Sequence, residues 1–262
     1  RQPLLDVITD DGDIVVPLDP RYLGIWLTGL LGDPATVDNA DGTWTHTFVS
    51  GAPALPSYAI EVGMPEVPAH FLHRGCRLNS ISLAFARSGP AAATINVIAQ
   101  GDDRFTTSQG GTPAALPFSR ISQFHGSIKR AGAAVANLTG GMLVYANNLE
   151  RIETIRADGK IDGADPTIAA LTGRLDVRFA DTSLVDLAAA GTPVDLEFAY
   201  TISASAKVVF TAHEVYLPKP KLAAPGPGGV QASFDFQGAW NETKGEMLKV
   251  TLTNDNDGTA YA

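Results

Sequence analysis

The sequence is poor in the residues that most often carry chemistry: its 262 residues include one cysteine, Cys76, and five histidines. A single cysteine excludes an intrachain disulfide, which suits a reducing compartment. No apolar run reaches the roughly 18 residues that a membrane-spanning helix needs, so no membrane association is expected. Positive charge is scarce as well, with 19 Lys and Arg against 28 Asp and Glu and a formal charge of −9. A field of that sign repels phosphates, and tight binding of nucleic acid is not expected. The chain opens at Arg1 without an initiator methionine or an apolar leader, so processing or preceding residues are expected.

Catalytic motifs are equally scarce. There is no GxSxG elbow and no recognisable local order of Cys, His and Asp. The stretch "DGKIDGAD" (158–165) lacks the upstream glycine and the following Ser or Thr of a phosphate-binding loop. "TNDNDG" (253–258) has a threonine at the first calcium-ligand position, and the chain ends before the required glutamate. Asp195 and Glu197 fall on one face of a strand, a spacing that suits glycosidase chemistry in a cleft, but a solvated strand face accounts for them far better. No catalytic residue and no cofactor are expected.

One metal-like pattern needs an argument. His70, His73 and Cys76 are spaced three apart in "HFLHRGCRLNS". Residues three apart converge on a helix but point to opposite faces of a strand. Pro65 and Pro68 precede the trio, Gly75 interrupts it, and the alternating "LNSISLAFA" follows, which reads as a strand entered from a loop. No metal site is expected there, and Cys76 reads as a small buried apolar residue.

What the chain does have is glycine (26) and proline (17), the punctuation of many short strands. Asp19 as N-cap, Pro20 at the first helical position, then Leu23, Leu27 and Leu30 before Gly32 predict a short amphipathic helix, weakened by Gly24 and Gly29. Period two begins at Trp44, His46 and Phe48 and resumes at Tyr58, Ile60 and Val62. "LNSISLAFA" and "AAATINVIAQ" are close enough to form a hairpin. Residues 102–117 lose all periodicity and read as a long exposed loop.

In the second half, Leu175, Val177 and Phe179 alternate with Arg174, Asp176 and Arg178. "DTSLVDLAAAG" predicts a second helix capped by Asp181 or Thr182 and stopped by Gly191. Val194, Leu196, Phe198 and Tyr200 then alternate with Asp195 and Glu197, and "AKVVFTAHEVYL" supplies a further strand. Residues 218–229 form a Pro/Gly-rich connector to a C-terminal β-hairpin over 230–253, and 254–262 read as a flexible acidic tail. About ten strands and two helices are expected in one domain spanning 1–262.

Several segments in this order resemble a phage tail tube protein of the long-tailed type. They are "VPLDPRYLGIWLTGLLG", "WTHTFVS" with "LPSYAIEV", "GCRLNSISLAFARSG" with "AAATINVIAQG", and "NNLERI" with "LTGRLDVRFADTSLVDLAAAG". The resemblance implies a mainly β sandwich or barrel with one or two flanking helices and long loops. It implies a structural virion protein that forms homo-hexameric rings stacked into a hollow tube, through which DNA passes without specific binding. Implied partners are further copies of the chain, the tape measure protein, the tail terminator and distal tail or baseplate proteins. The location implied is the virion tail, with the host cytoplasm during assembly. Arg174, Asp176, Arg178, Asp195 and Glu197 are candidates for the face lining the lumen or for a subunit contact, and the 102–117 loop for a bridge between rings. The alternative class is a carbohydrate-binding or adhesion β-sandwich, which grouped aromatics would favour; Trp26, Trp44 and Trp240 fall in separate elements.

Overall fold

The computed structural model describes residues 6–112, 117–178, 182–220 and 231–261. In chain order the elements are β1 (Asp10–Pro17), α1 (Leu23–Leu31), β2 (Ala35–Asp38), β3 (Trp44–Val49), β4 (Tyr58–Met64), β5 (Ala69–Phe85), β6 (Ala92–Ala99), β7 (Gly101–Phe105), β8 (Gly126–Arg130) and β9 (Ala133–Ala134). They continue with β10 (Leu138–Ala146), β11 (Glu150–Ile152), β12 (Gly163–Asp165), β13 (Ala170–Arg178), α2 (Ser183–Ala190), β14 (Val194–Ser203), β15 (Ala206–Tyr216), β16 (Gln231–Gly238) and β17 (Leu248–Asn254). The fold is mainly β with two short α-helices. The strand number exceeds the expected ten because strands such as β2, β9, β11 and β12 are too short to show a period.

Alternation builds two packed layers. One runs β1-β6-β5-β10-β13-β16, and the other β2-β3-β17-β15-β14-β8-β9, with all pairs antiparallel. They join where Val215 and Tyr216, at the end of β15, pair with Gly238 and Gln237 of β16. Inward residues meet between the layers: Phe85 stacks on Tyr200 at 4.6 Å between ring centroids, and Phe198 lies 5.7 Å from Phe236. One contiguous cluster holds Leu83, Ile95, Leu175, Phe210, Phe234 and Val250 together with the leucines of α1. Among the described residues the sheet does not close into a barrel: β1 pairs with β6 alone, while β2 and β9 end the other layer.

The helix around Leu23, Leu27 and Leu30 forms and buries all three side chains, but it starts later than Asp19 suggests. Asp19 is buried and caps the preceding turn, its Oδ1 accepting the Arg21 and Tyr22 N–H groups at 2.8 and 3.3 Å. Gly24 is required by close approach, since a Cβ there would overlap the ring of Tyr261. The second helix runs from Ser183 to a left-handed Gly191, as its pattern requires. Asp181, Phe179 and Val230 lie outside the described residues, as does most of the connector.

Four expectations are corrected. The strand after the His/Cys trio begins at Ala69: β5 continues through Gly75 because the strand exchanges partners there, β4 and β7 before it and β6 and β10 after it. Gly75 takes φ +62°, and a Cβ would lie 2.5 Å from Gln100 Oε1. The loop expected from 102 instead opens with β7, paired to β5 through His70–Phe105 and Leu72–Asp103. Residues 231–238 and 248–254 are strands but not a hairpin: β16 pairs with β13 and the end of β15, whereas β17 lies between β15 and β3.

The fourth correction concerns the C-terminal residues, which are docked. Tyr261 is 5% exposed and its hydroxyl donates to the Arg21 carbonyl at 2.5 Å. Asn254 Nδ2 donates to the same hydroxyl at 2.8 Å, and Asp255 pairs with Arg21 at 2.6 Å. Composition suggested a tail because one aromatic among small polar residues carries little pattern.

Candidate functional site

The surfaces the fold presents are the outward faces of the two layers, the sheet edges and a projecting arm. The outward face of the first layer carries Arg174, Asp176 and Arg178, opposite in alternation to the buried Leu175 and Val177. Arg174 Nε lies 3.0 Å from Asp176 Oδ1, and Ser233 Oγ of β16 donates to the same oxygen at 2.5 Å. Arg178 ends the row at a shallow cavity of about 170 Å³ shared with Arg130, Asn137, Ser183 and Leu184. Exposed Asp11 and Asp13 of β1 and Asp235 of β16 lie on the same layer, with Arg151 pairing Asp11 at 2.9 Å.

Asp195 and Glu197 lie on the second layer, facing away from the first. Glu197 Oε1 accepts from Lys129 Nζ at 2.7 Å. Asp195 Oδ1 lies 3.3 Å from His213 Nδ1, and His213 Nε2 lies 2.9 Å from Glu246 Oε1, with Lys249 Nζ 3.8 Å from that oxygen. Each of the two carboxylates therefore has its own basic neighbour, and they do not form an open acid pair. The five candidate residues all point outward, as their period requires, but the structure divides them between opposite layers. They cannot line one wall of one subunit together.

The His/Cys trio is not brought together. His70 Nδ1 lies 3.3 Å from Glu61, His73 Nδ1 lies 2.9 Å from Asp10, and Cys76 is buried with its thiol pushed up to about 11 by desolvation. Among the described residues there is no group of three or more His, Cys, Asp or Glu that could hold a metal ion. No helix among them is long and apolar enough to cross a membrane. Trp26 lies on α1, Trp44 on β3 and Trp240 after β16, in separate elements.

Two surfaces were not read from sequence. The first is the edge formed by β1, signalled only by Ile14 and Val16 alternating with Asp13 and Val15. The second is the arm formed by β4, the first half of β5 and β7, which carries exposed Val62, Met64 and Val67 at its tip. A buried histidine was also missed. His46 on β3 bonds Thr36 Oγ1 at 2.8 Å and Asn254 Oδ1 at 3.2 Å, and desolvation holds its pKa below the ordinary imidazole value.

No curated protein matches the chain. The sequence model of the family described as phage tail tube protein matches residues 1–238, which takes in every element except β17. A mainly β sandwich with two short helices fits that match, and the chain belongs to the phage tail tube protein family, whose members are structural proteins of the virion tail.

Proposed function

We propose that this chain assembles into homo-hexameric rings, that the rings stack into the hollow tail tube, and that DNA leaves the capsid through the bore. The chain acts as one tail tube domain without enzymatic activity. It is assembled in the host cytoplasm, where it also meets the tape measure protein, the tail terminator and the distal tail or baseplate proteins.

The observation that supports ring closure most is the open sheet. β1 exposes one backbone edge beside Asp10, Asp11 and Asp13, while the opposite end of the second layer is β8 and β9 with Lys129 and Arg130. Exposed edges are hazards unless they are covered, and a closed ring of identical subunits covers them by symmetry. The acidic edge of one copy meeting the basic edge of the next is a heterologous contact of the kind that generates rings.

The bore follows from charge. The outward strand face of the first layer carries Asp11, Asp13, Asp176 and Asp235 against Arg77, Arg174 and Arg178, whereas that of the second offers Asp195 and Glu197 against Lys129, Lys207 and Lys249. A wall with excess carboxylates repels phosphate and lets the polymer slide, so the first layer is assigned to the lumen. The test compares particles carrying Asp176→Lys with particles carrying Glu197→Lys. Asp176 and Glu197 are 27% and 30% exposed and each is in an ion pair, so each substitution costs about 1–2 kcal/mol, and tails of normal number and length by electron microscopy establish folding in both variants. DNA release slows in the Asp176 variant, more at low salt where screening is weak, and is unchanged in the Glu197 variant. The reverse pattern would move the bore to the second layer, and normal release from both at every salt would remove wall charge from the account.

A further inference from the structure

The two ends of β5 present surfaces that match each other. At one end, the turn Met64-Pro65-Glu66-Val67-Pro68 closes the arm, with the Val67 N–H donating to the Met64 carbonyl at 3.1 Å. Met64 and Val67 are 49% and 66% exposed, and Val62 extends the apolar strip down β4. Two prolines and the turn hydrogen bond fix this tip before it meets anything, which lowers the entropy lost on docking. Glu66 stands between the apolar residues, exposed and without an ion pair among the described residues.

At the other end, a groove of about 280 Å³ is lined by Val16, Pro17, Tyr22, Leu23, Trp26 and Phe118. Phe118 is 43% exposed and forms the groove's open wall. Arg120 lies over the Phe118 ring, 5.6 Å from its centroid, and it too has no carboxylate partner among the described residues. The pairings Pro17–Ala92 and Leu83–Ala93 set the groove level with the far end of β5. Tip and groove are thus separated by the strand from Ala69 to Leu83, roughly 45 Å of extended chain at about 3.3 Å per residue. They cannot meet within one copy.

We propose that the arm tip of one subunit seats Met64 and Val67 in the Tyr22–Trp26–Phe118 groove of a second copy, with Glu66 pairing to the partner copy's Arg120. This rests on the self-assembly reading and supplies a contact that it does not specify. The occupant is a copy of this chain because both halves of the match are on it: an apolar knob carrying an unpaired acid, and an apolar groove whose rim carries an unpaired base. A patch and a pocket at opposite ends of one molecule make a head-to-tail contact that repeats along an axis. The charge pair, desolvated between apolar walls, sets the orientation of docking.

The test is a charge exchange on the full chain, with assembly followed by sedimentation velocity and negative-stain microscopy. Glu66→Arg and Arg120→Glu each raise the concentration for half-maximal assembly by about tenfold or more, because each places like charges in the contact. The double variant restores assembly to within about threefold of the parent. Both residues are exposed, so unchanged circular dichroism and thermal melts establish folding in each variant. Parent-like assembly of both single variants would overturn the contact, and so would two impaired variants that the double fails to rescue. A second readout does not need long tubes: Glu66→Cys and Arg120→Cys chains, mixed and oxidised, form a 66–120 disulfide between copies, found by peptide mass spectrometry. A mixture that yields none while assembling normally overturns the contact alone. A parent chain that stays monomeric at every concentration, with no cross-link, overturns the self-assembly reading with it.

Discussion

Replacing Tyr261 measures how firmly the C-terminal segment is part of the fold. The ring lies against Gly24, sits 4.7 Å from the His46 ring in an edge-on contact, and lies 6.4 Å from Phe48. Its hydroxyl donates to the Arg21 carbonyl and accepts from Asn254 and Asn256, while Thr28 Oγ1 donates to the Tyr261 carbonyl at 3.2 Å. Truncating a buried aromatic to alanine costs about 3–5 kcal/mol where the cavity stays empty. This site is near the chain end and water can enter, so Tyr261→Ala is expected near the lower limit, about 3 kcal/mol. Tyr261→Phe keeps the ring and removes only the hydroxyl that the Arg21 carbonyl and two asparagine amides use, which costs about 1–2 kcal/mol. Equilibrium urea unfolding reads both values from the midpoint at constant slope. The difference tests the reasoning: alanine must cost at least about 1 kcal/mol more than phenylalanine if packing dominates. Two variants within about 0.5 kcal/mol of the parent would mean that the segment is not docked.

Two further perturbations probe other parts of the fold. Gly75→Ala places a Cβ against Gln100 at a left-handed backbone position and is expected to cost about 1–2 kcal/mol, with faster amide exchange in β4 and β7 than in the rest of the sandwich; unchanged exchange there would refute the role of Gly75 as the joint of the arm. His46 has a folded pKa depressed by desolvation, so the unfolded chain binds the extra proton first, and its contribution is complete above about pH 6.5 and lost as pH falls from there through the folded value. The urea midpoint should therefore drop between pH 8 and pH 5 more in the parent than in His46→Gln, and equal drops would remove His46 as the cause.

Period two made the individual strands legible. Leu175 and Val177 against Arg174 and Asp176, and Leu196 and Phe198 against Asp195 and Glu197, are buried and outward as their alternation requires. Alternation states which side of a strand is buried, not which strand lies beside it. That is why β16 and β17, two clean patterns joined by a short connection, read as a hairpin yet pair with β13 and with β15 and β3. The same limit applies to the candidate surface: five residues were correctly read as outward, and only the order of strands separates Arg174, Asp176 and Arg178 from Asp195 and Glu197. Gly75 looked like an interruption because a left-handed glycine ends most strands, but here the partner strands change at the same point. The arm tip and the Tyr22–Trp26–Phe118 groove depend on residues distant in sequence, and no local pattern brings them to opposite ends of β5.

The central claim is that copies of this chain enclose a channel. Electron cryomicroscopy of tubes grown from the purified chain measures it directly. The account predicts stacked six-subunit rings around a continuous bore, with β1 of each subunit against β8 and β9 of its neighbour and Asp176 facing the lumen. Solid filaments, open sheets, or rings in which the β1 edge faces solvent would contradict it.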